Sequence, residues 1–204
     1  MNSSEQFEEK LNTYSHGLGI ILAVIGGYLL LKEDVSPYLG LLVYSLSLIL
    51  LFTASTLYHG VSNPFRKQKL RILDHISIYY LIAGTYTPVC LSILYDSKGV
   101  LLLWLVWGIA FFGTILKLFF TGRFEVFSLI LYGIMGWLVV LDLNYLMEQT
   151  STQSLFYLGL GGACYTIGII FYANRKILLN HFIWHLFVLG GAISHWIFIY
   201  SELL

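Results

Sequence analysis

Residues 180–201, NHFIWHLFVLGGAISHWIFIYS, contain no Asp, Glu, Lys or Arg. A helix crosses a bilayer with about 20 mostly apolar residues, so this block has the length of a membrane span. It also opens with two histidines, His181 and His185, four residues apart. Reading outward, six further apolar blocks of similar length occur at Tyr14–Leu31, Tyr38–Gly60, Ile72–Tyr95, Val100–Phe120, Phe124–Leu146 and Leu155–Ala173. The separators are short and carry most of the charge: KEDVSP, SNPFRKQKLR, DSKG, TGR, MEQTSTQS and NRKILLN.

The whole composition agrees with the blocks. Apolar residues make up 58% of the 204 and charged residues only 11%, with a mean hydropathy of +0.79. Soluble domains carry roughly a quarter charged residues. In lipid only helices and closed barrels satisfy the backbone, and blocks of this length fit helices. The expectation is an all-α integral membrane protein, a bundle of seven transmembrane helices. It forms one domain over residues 1–204, with a short cytosolic N-terminal segment at 1–13. The polar, acidic start lacks the basic opening of a cleavable signal, so the first span is expected to do the targeting. A formal net charge of zero excludes nucleic acid as an electrostatically favoured partner. Cys90 and Cys164 lie inside apolar blocks and read as small buried residues, not a disulfide framework.

Loop charge sets the orientation. With seven spans, Lys10, Arg66, Lys67, Lys69, Arg71, Lys117, Arg123, Arg175 and Lys176 share one side, and only Lys32 and Lys98 face the other. Positive residues stay inside, so the N-terminus is expected in the cytosol and the C-terminus outside.

That orientation gathers the histidines. His16 opens the first span, His59 closes the second, His75 opens the third, and His181 and His185 open the seventh, so all five lie at cytosolic ends. One histidine alone reads as an interhelical hydrogen bond; five at one depth read as a site, because ionisable residues in membrane helices are costly. His181 and His185 sit one turn apart on one helix face and can address one ion. Ser55 and His59 repeat the spacing on the second span, which makes His59 a third ligand candidate. Three imidazoles and a water is the arrangement of a catalytic zinc. Asp74 can orient or deprotonate that water; its blander role is pairing with Arg71. His195 lies about 15 Å beyond His185 at 1.5 Å per residue, too far to share an ion, and reads as packing or hydrogen bonding. Asp142 reads as solvated. Tyr14, Tyr38, Tyr95, Tyr145, Trp196 and Tyr200 read as interfacial anchors, and Gly159, Gly161, Gly162 and Gly168 as close helix packing.

These residues carry a resemblance. Glu9-x-x-Asn12-x-x-Ser15-His16-Gly17-x-Gly19, the SxxxH of Ser55 and His59, RILDHISIYYLIAGTYTP at 71–88, Tyr132-Gly133 with Gly136-Trp137, and HFIWHLFVLGGAISH at 181–195 resemble the hemolysin III family. That family is the bacterial branch of the progestin and adiponectin receptor superfamily. The resemblance implies seven helices with a cytosolic N-terminus in the plasma membrane of a bacterium. It selects His59, His181 and His185 as zinc ligands, and it puts Ser55 and Asp74 around the water at the metal's open position. The long soluble arm of the animal receptors has no counterpart, so no polypeptide hormone is expected.

Three functions are then weighed. A zinc-dependent hydrolase of lipid amides or esters, similar to alkaline ceramidases, fits a site reachable from the inner leaflet, with membrane lipids as partners. A cytolysin, as the family name implies, is the second. A receptor or sensor with structural zinc is the third, and a fourth protein ligand such as His16 or His75 would favour it.

Overall fold

The computed structural model describes residues 3–33 and 35–204, and its regular structure there is helical throughout. The helices are α1 (Ser3–Leu31), α2 (Tyr38–Gly60), α3 (Pro64–Cys90), α4 (Gly99–Phe120), α5 (Glu125–Trp137), α6 (Leu143–Gln149), α7 (Thr152–Ala173) and α8 (Asn180–Leu203), with a 3-10 segment at Leu138–Asp142 joining α5 to α6. Six stretches are long and apolar enough to cross a membrane: α1, α2, α4, the run Glu125–Gln149, α7 and α8. The protein is a multi-pass membrane protein on this ground.

Helix α3 is not among the six, although its second half is buried more completely than any of them. Arg66, Lys67, Lys69, Arg71 and Asp74 crowd its first turns, while Tyr79, Ala83 and Cys90 are wholly enclosed. It starts at Pro64, well before the expected Ile72. Asn63 caps it by accepting the Arg66 N–H at 3.1 Å, and Pro64 takes the first helical position, where a missing N–H costs nothing. The basic stretch expected as a loop is therefore mostly helix.

α1 likewise begins at Ser3, so residues 3–13 of the expected cytosolic stretch 1–13 are helical; Met1 and Asn2, and Asp34 in the first connection, lie outside the described residues. Its 29 residues span about 44 Å at 1.5 Å each, against about 30 Å of bilayer hydrocarbon.

The block expected as one continuous fifth span is broken. The Tyr86 hydroxyl donates to the Gly136 carbonyl at 3.0 Å and accepts the Val139 N–H at 2.8 Å. A side chain inserted into the backbone ladder interrupts an α-helix in this way, and the chain runs as 3-10 from Leu138 to Asp142 before α6 resumes. Asp142 at that junction is buried, not solvated, because its two oxygens accept the Ser97 hydroxyl and the Lys98 N–H, each at 2.8 Å.

The helices form a closed ring in chain order, α1 also touching α8, with α3 drawn inward against α5 and α8. Between helices in lipid, close packing replaces the hydrophobic effect as the driving force. Gly84 lies directly over Ser47 of α2, and Gly113 over the ring of Tyr79, so neither leaves room for a Cβ. Of the glycine series in α7, Gly161 and Gly168 do pack, against His195 and against Trp184 and Phe187. Gly159 and Gly162 instead face open space, which corrects the packing expected for them.

Candidate metal centre

α2 ends, and α8 begins, at the same face of the bundle. This brings His59 on the last turn of α2 to His181 and His185 on the first turns of α8. The ring centroids of His59 lie 5.0 Å from those of His181 and 4.8 Å from those of His185, and the latter two are 5.0 Å apart. One ring nitrogen from each comes within 4.8 Å of the others. Tetrahedral zinc at 2.0–2.1 Å spaces its ligand nitrogens by about 3.3 Å, so the three would draw together by up to about 1.5 Å to hold an ion.

The donors fit a cation in a second way. His59 Nε2 and His185 Nδ1 are buried with no hydrogen-bond partner. Each buried, unmatched nitrogen costs about 1–3 kcal/mol, and a metal ion bonded to these lone pairs removes that cost. The other nitrogen of His59, Nδ1, lies 2.8 Å from Glu9 Oε2, and Lys67 Nζ lies 3.0 Å from the same oxygen. Next door, Glu8 Oε1 accepts the His181 N–H at 3.0 Å and the Phe182 N–H at 3.4 Å.

Ser55 and Asp74 are buried in the wall of a cavity of about 120 Å³ that His181 and His185 also line, and the Ser55 hydroxyl lies beside the Asp74 carboxyl. Arg71, the alternative partner for Asp74, pairs with Glu125 at 3.1 Å. The cavity shares Tyr86, Tyr132, Tyr165 and His195 with a second, largely apolar cleft of about 370 Å³ between α5–α6 and α7, where Gly133, Gly136, Gly159 and Gly162 leave space. His195 hydrogen-bonds the Leu158 carbonyl at 3.2 Å and packs on Gly161, well away from the trio.

His75 and His16 part company. His75 Nδ1 is 3.8 Å from Glu125 Oε2, a carboxylate also held by Arg71 and by Lys117 at 2.8 Å, so it belongs to an ionic cluster at the α4–α5 turn. His16 stacks on His185 with centroids 3.7 Å apart. Reading the histidines one by one gave no role to Glu8, or to Glu9, which entered only as part of the first-helix motif. The signal was present: Glu9, Asn12 and His16 fall at i, i+3 and i+7, one face of a helix, and that face meets the site.

A membrane-embedded helical bundle with a cluster of three histidines beside an enclosed carboxylate defines the class. The chain matches the family described as Haemolysin-III related over residues 4–196. It is 38% identical over 190 residues to the hemolysin-3 homolog of Bacillus subtilis, covering 91% of this chain and 89% of that protein. It is 40% identical over 190 residues to the hemolysin-3 of Bacillus cereus, covering 91% and 87%. The human monocyte to macrophage differentiation factor is 31% identical over 210 residues, covering 97% of this chain and 85% of that protein. The chain belongs to the haemolysin-III family.

Proposed function

We propose that this protein is a zinc-dependent hydrolase of lipid amide or ester bonds, sited at the cytosolic face of a cell membrane. The observation that carries the reading is the junction of three elements. Unpartnered nitrogens of His59 and His185 beside His181, the Ser55–Asp74 pair, and a cavity leading to an apolar cleft come together at one end of the bundle.

Seven spans and a cytosolic N-terminus belong to this reading. His16 near the start of the first apolar block touches His185 in the second turn of α8, so the chain crosses an even number of times between them. Five crossings, with α3 held out of the membrane, would leave those ends on opposite faces. Six, with α3 included, supports the seven-span arrangement that loop charge favours.

His59, His181 and His185 would hold the ion. Bound there, zinc supplies a Lewis acid that polarises a carbonyl and makes water nucleophilic near neutral pH. The Asp74 carboxylate would take a proton from the attacking water and return it to the leaving amine or alcohol. Ser55 orients that carboxylate through its hydroxyl. The apolar cleft receives the acyl chain from the bilayer, and burial of the carboxylate excludes bulk water from the reacting bond.

The test is metal content and lipid turnover on purified protein, wild type against His185→Ala, with ceramide-like and phospholipid substrates. Stoichiometric zinc that persists in His185→Ala sinks the ligand assignment. Zinc without turnover of any lipid amide or ester turns the reading toward a sensor. The two Bacillus relatives are named for hemolysis, and that alternative makes its own forecast: dye release from vesicles that does not depend on zinc.

A further inference from the structure

The first turns of α1 touch two of the three ligand residues through adjacent side chains. Glu9 Oε2 sits 2.8 Å from His59 Nδ1, and Glu8 Oε1 takes the first free N–H groups of α8, at His181 and Phe182. α8 has no side-chain cap of its own, since Leu179 precedes it with φ 55. The carboxylate from α1 supplies the acceptor that a capping Ser or Asp ordinarily would.

The contact to His59 has a chemical consequence. A neutral imidazole carries one N–H and one lone pair. A carboxylate on Nδ1 fixes the proton there, which leaves the lone pair on Nε2, the nitrogen that is buried without a partner. Carboxylates paired in this way set the tautomer and ring angle of metal-bound histidines and raise their basicity. Lys67 Nζ holds the same oxygen at 3.0 Å and also donates to the Tyr58 carbonyl at 3.2 Å. It fastens the carboxylate to the α2 turn that bears His59.

We infer that Glu9 is a positioning residue of the metal centre: its carboxylate fixes His59 so that Nε2 faces the ion, Lys67 holds that carboxylate, and Glu8 steadies the helix bearing His181. This rests on the zinc reading above and adds to it a positioning role for the N-terminal turns of α1.

The experiment is zinc affinity by chelator competition on the purified full-length protein in micelles. Glu9→Ala is expected to weaken zinc 10- to 100-fold, the usual effect of losing such a partner. Glu9→Gln, nearly isosteric and still able to accept from Nδ1, should lose roughly threefold. In a His59→Ala background Glu9→Ala should change nothing further, because its effect passes through that ring. Equal affinity in Glu9→Ala and wild type overturns the inference, as does an equal loss with His59 absent. If wild type binds no zinc, the metal reading falls and takes this inference with it; if zinc binds and depends on His59 but not Glu9, only the inference falls. Should Glu9→Ala fail to fold, Glu9→Gln against wild type and His59→Ala decides the same question.

Discussion

His16 and His185 stack face to face, with centroids 3.7 Å apart and planes inclined by 19°. Imidazole lone pairs lie in the ring plane, so two nearly parallel rings at this spacing cannot direct them at one ion. His16 therefore backs His185 without joining the trio, even though both its nitrogens are buried without partners. His16→Phe keeps the stacked ring and removes two unmatched polar atoms. It should retain stoichiometric zinc and match or exceed wild-type stability. His16→Ala should keep zinc but lose about 2 kcal/mol to the void it leaves. Metal analysis with thermal melting checks both, and loss of zinc in His16→Phe would make His16 a ligand after all.

Asp74 separates chemistry from metal binding. Asp74→Asn preserves shape and removes the proton acceptor, so turnover should fall at least 100-fold while zinc stays bound. Ser55→Ala should fall less, about tenfold, since it acts on the carboxylate and not on substrate. Single-turnover assays beside metal analysis distinguish these outcomes; undiminished turnover in Asp74→Asn would remove it from the mechanism.

The cleft offers a test of sideways entry. Gly159 and Gly162 face open space, so Gly159→Leu and Gly162→Leu can fold normally yet fill the cleft. Turnover of long-chain lipids should drop severalfold while short, soluble esters and zinc content are unaffected. Gly161→Ala, one residue away, meets the His195 ring and should cost about 1–3 kcal/mol by overpacking. Equal rates on long and short substrates in the leucine variants would count against the route.

Lys117 is almost wholly enclosed and holds Glu125 at 2.8 Å, where Arg71 also binds. Removing one partner of a buried pair costs about 3–5 kcal/mol. Arg71 and the Gly122 N–H still serve the carboxylate, so Lys117→Met should lose about 2 kcal/mol. Thermal unfolding in micelles reads this. Zinc affinity should stay as in wild type, because the cluster reaches His75 and not the trio.

Stripping the metal gives a last prediction. A ligand that binds only the folded state stabilises it by about 2.7 kcal/mol at a hundredfold excess over Kd. Chelation should therefore lower the melting temperature, and zinc, but not magnesium, should restore it. His185→Ala should show no response to either. A melting temperature insensitive to chelator in wild type would speak against a structural contribution from any bound metal.

Much of this was legible along the chain. All seven blocks read as spans because a bilayer demands long runs of apolar side chains, and six of them are long and apolar enough in the structure; the shared end of His59, His181 and His185 followed from where those runs begin and end. α3 was read correctly as a helix, but its start was misplaced, because the Asn63–Pro64 cap lies inside a basic stretch that charge alone marks as loop. The break after Trp137 was not legible at all. It depends on the Tyr86 hydroxyl of another helix reaching into the ladder.

The sequence by itself determined the class, since solvent chemistry sets it without any partner helix, and the motifs it carries resembled one family, a resemblance that singled out His59, His181 and His185 among five candidates. Only the tertiary structure decided which histidines meet, that His16 stacks on His185 while His75 lies beside Glu125, and that the α7 glycines divide between packing and open space. It alone put Glu9 on His59. Those outcomes depend on which helix faces which, and side chains tens of residues apart acquire a common geometry only once the bundle closes.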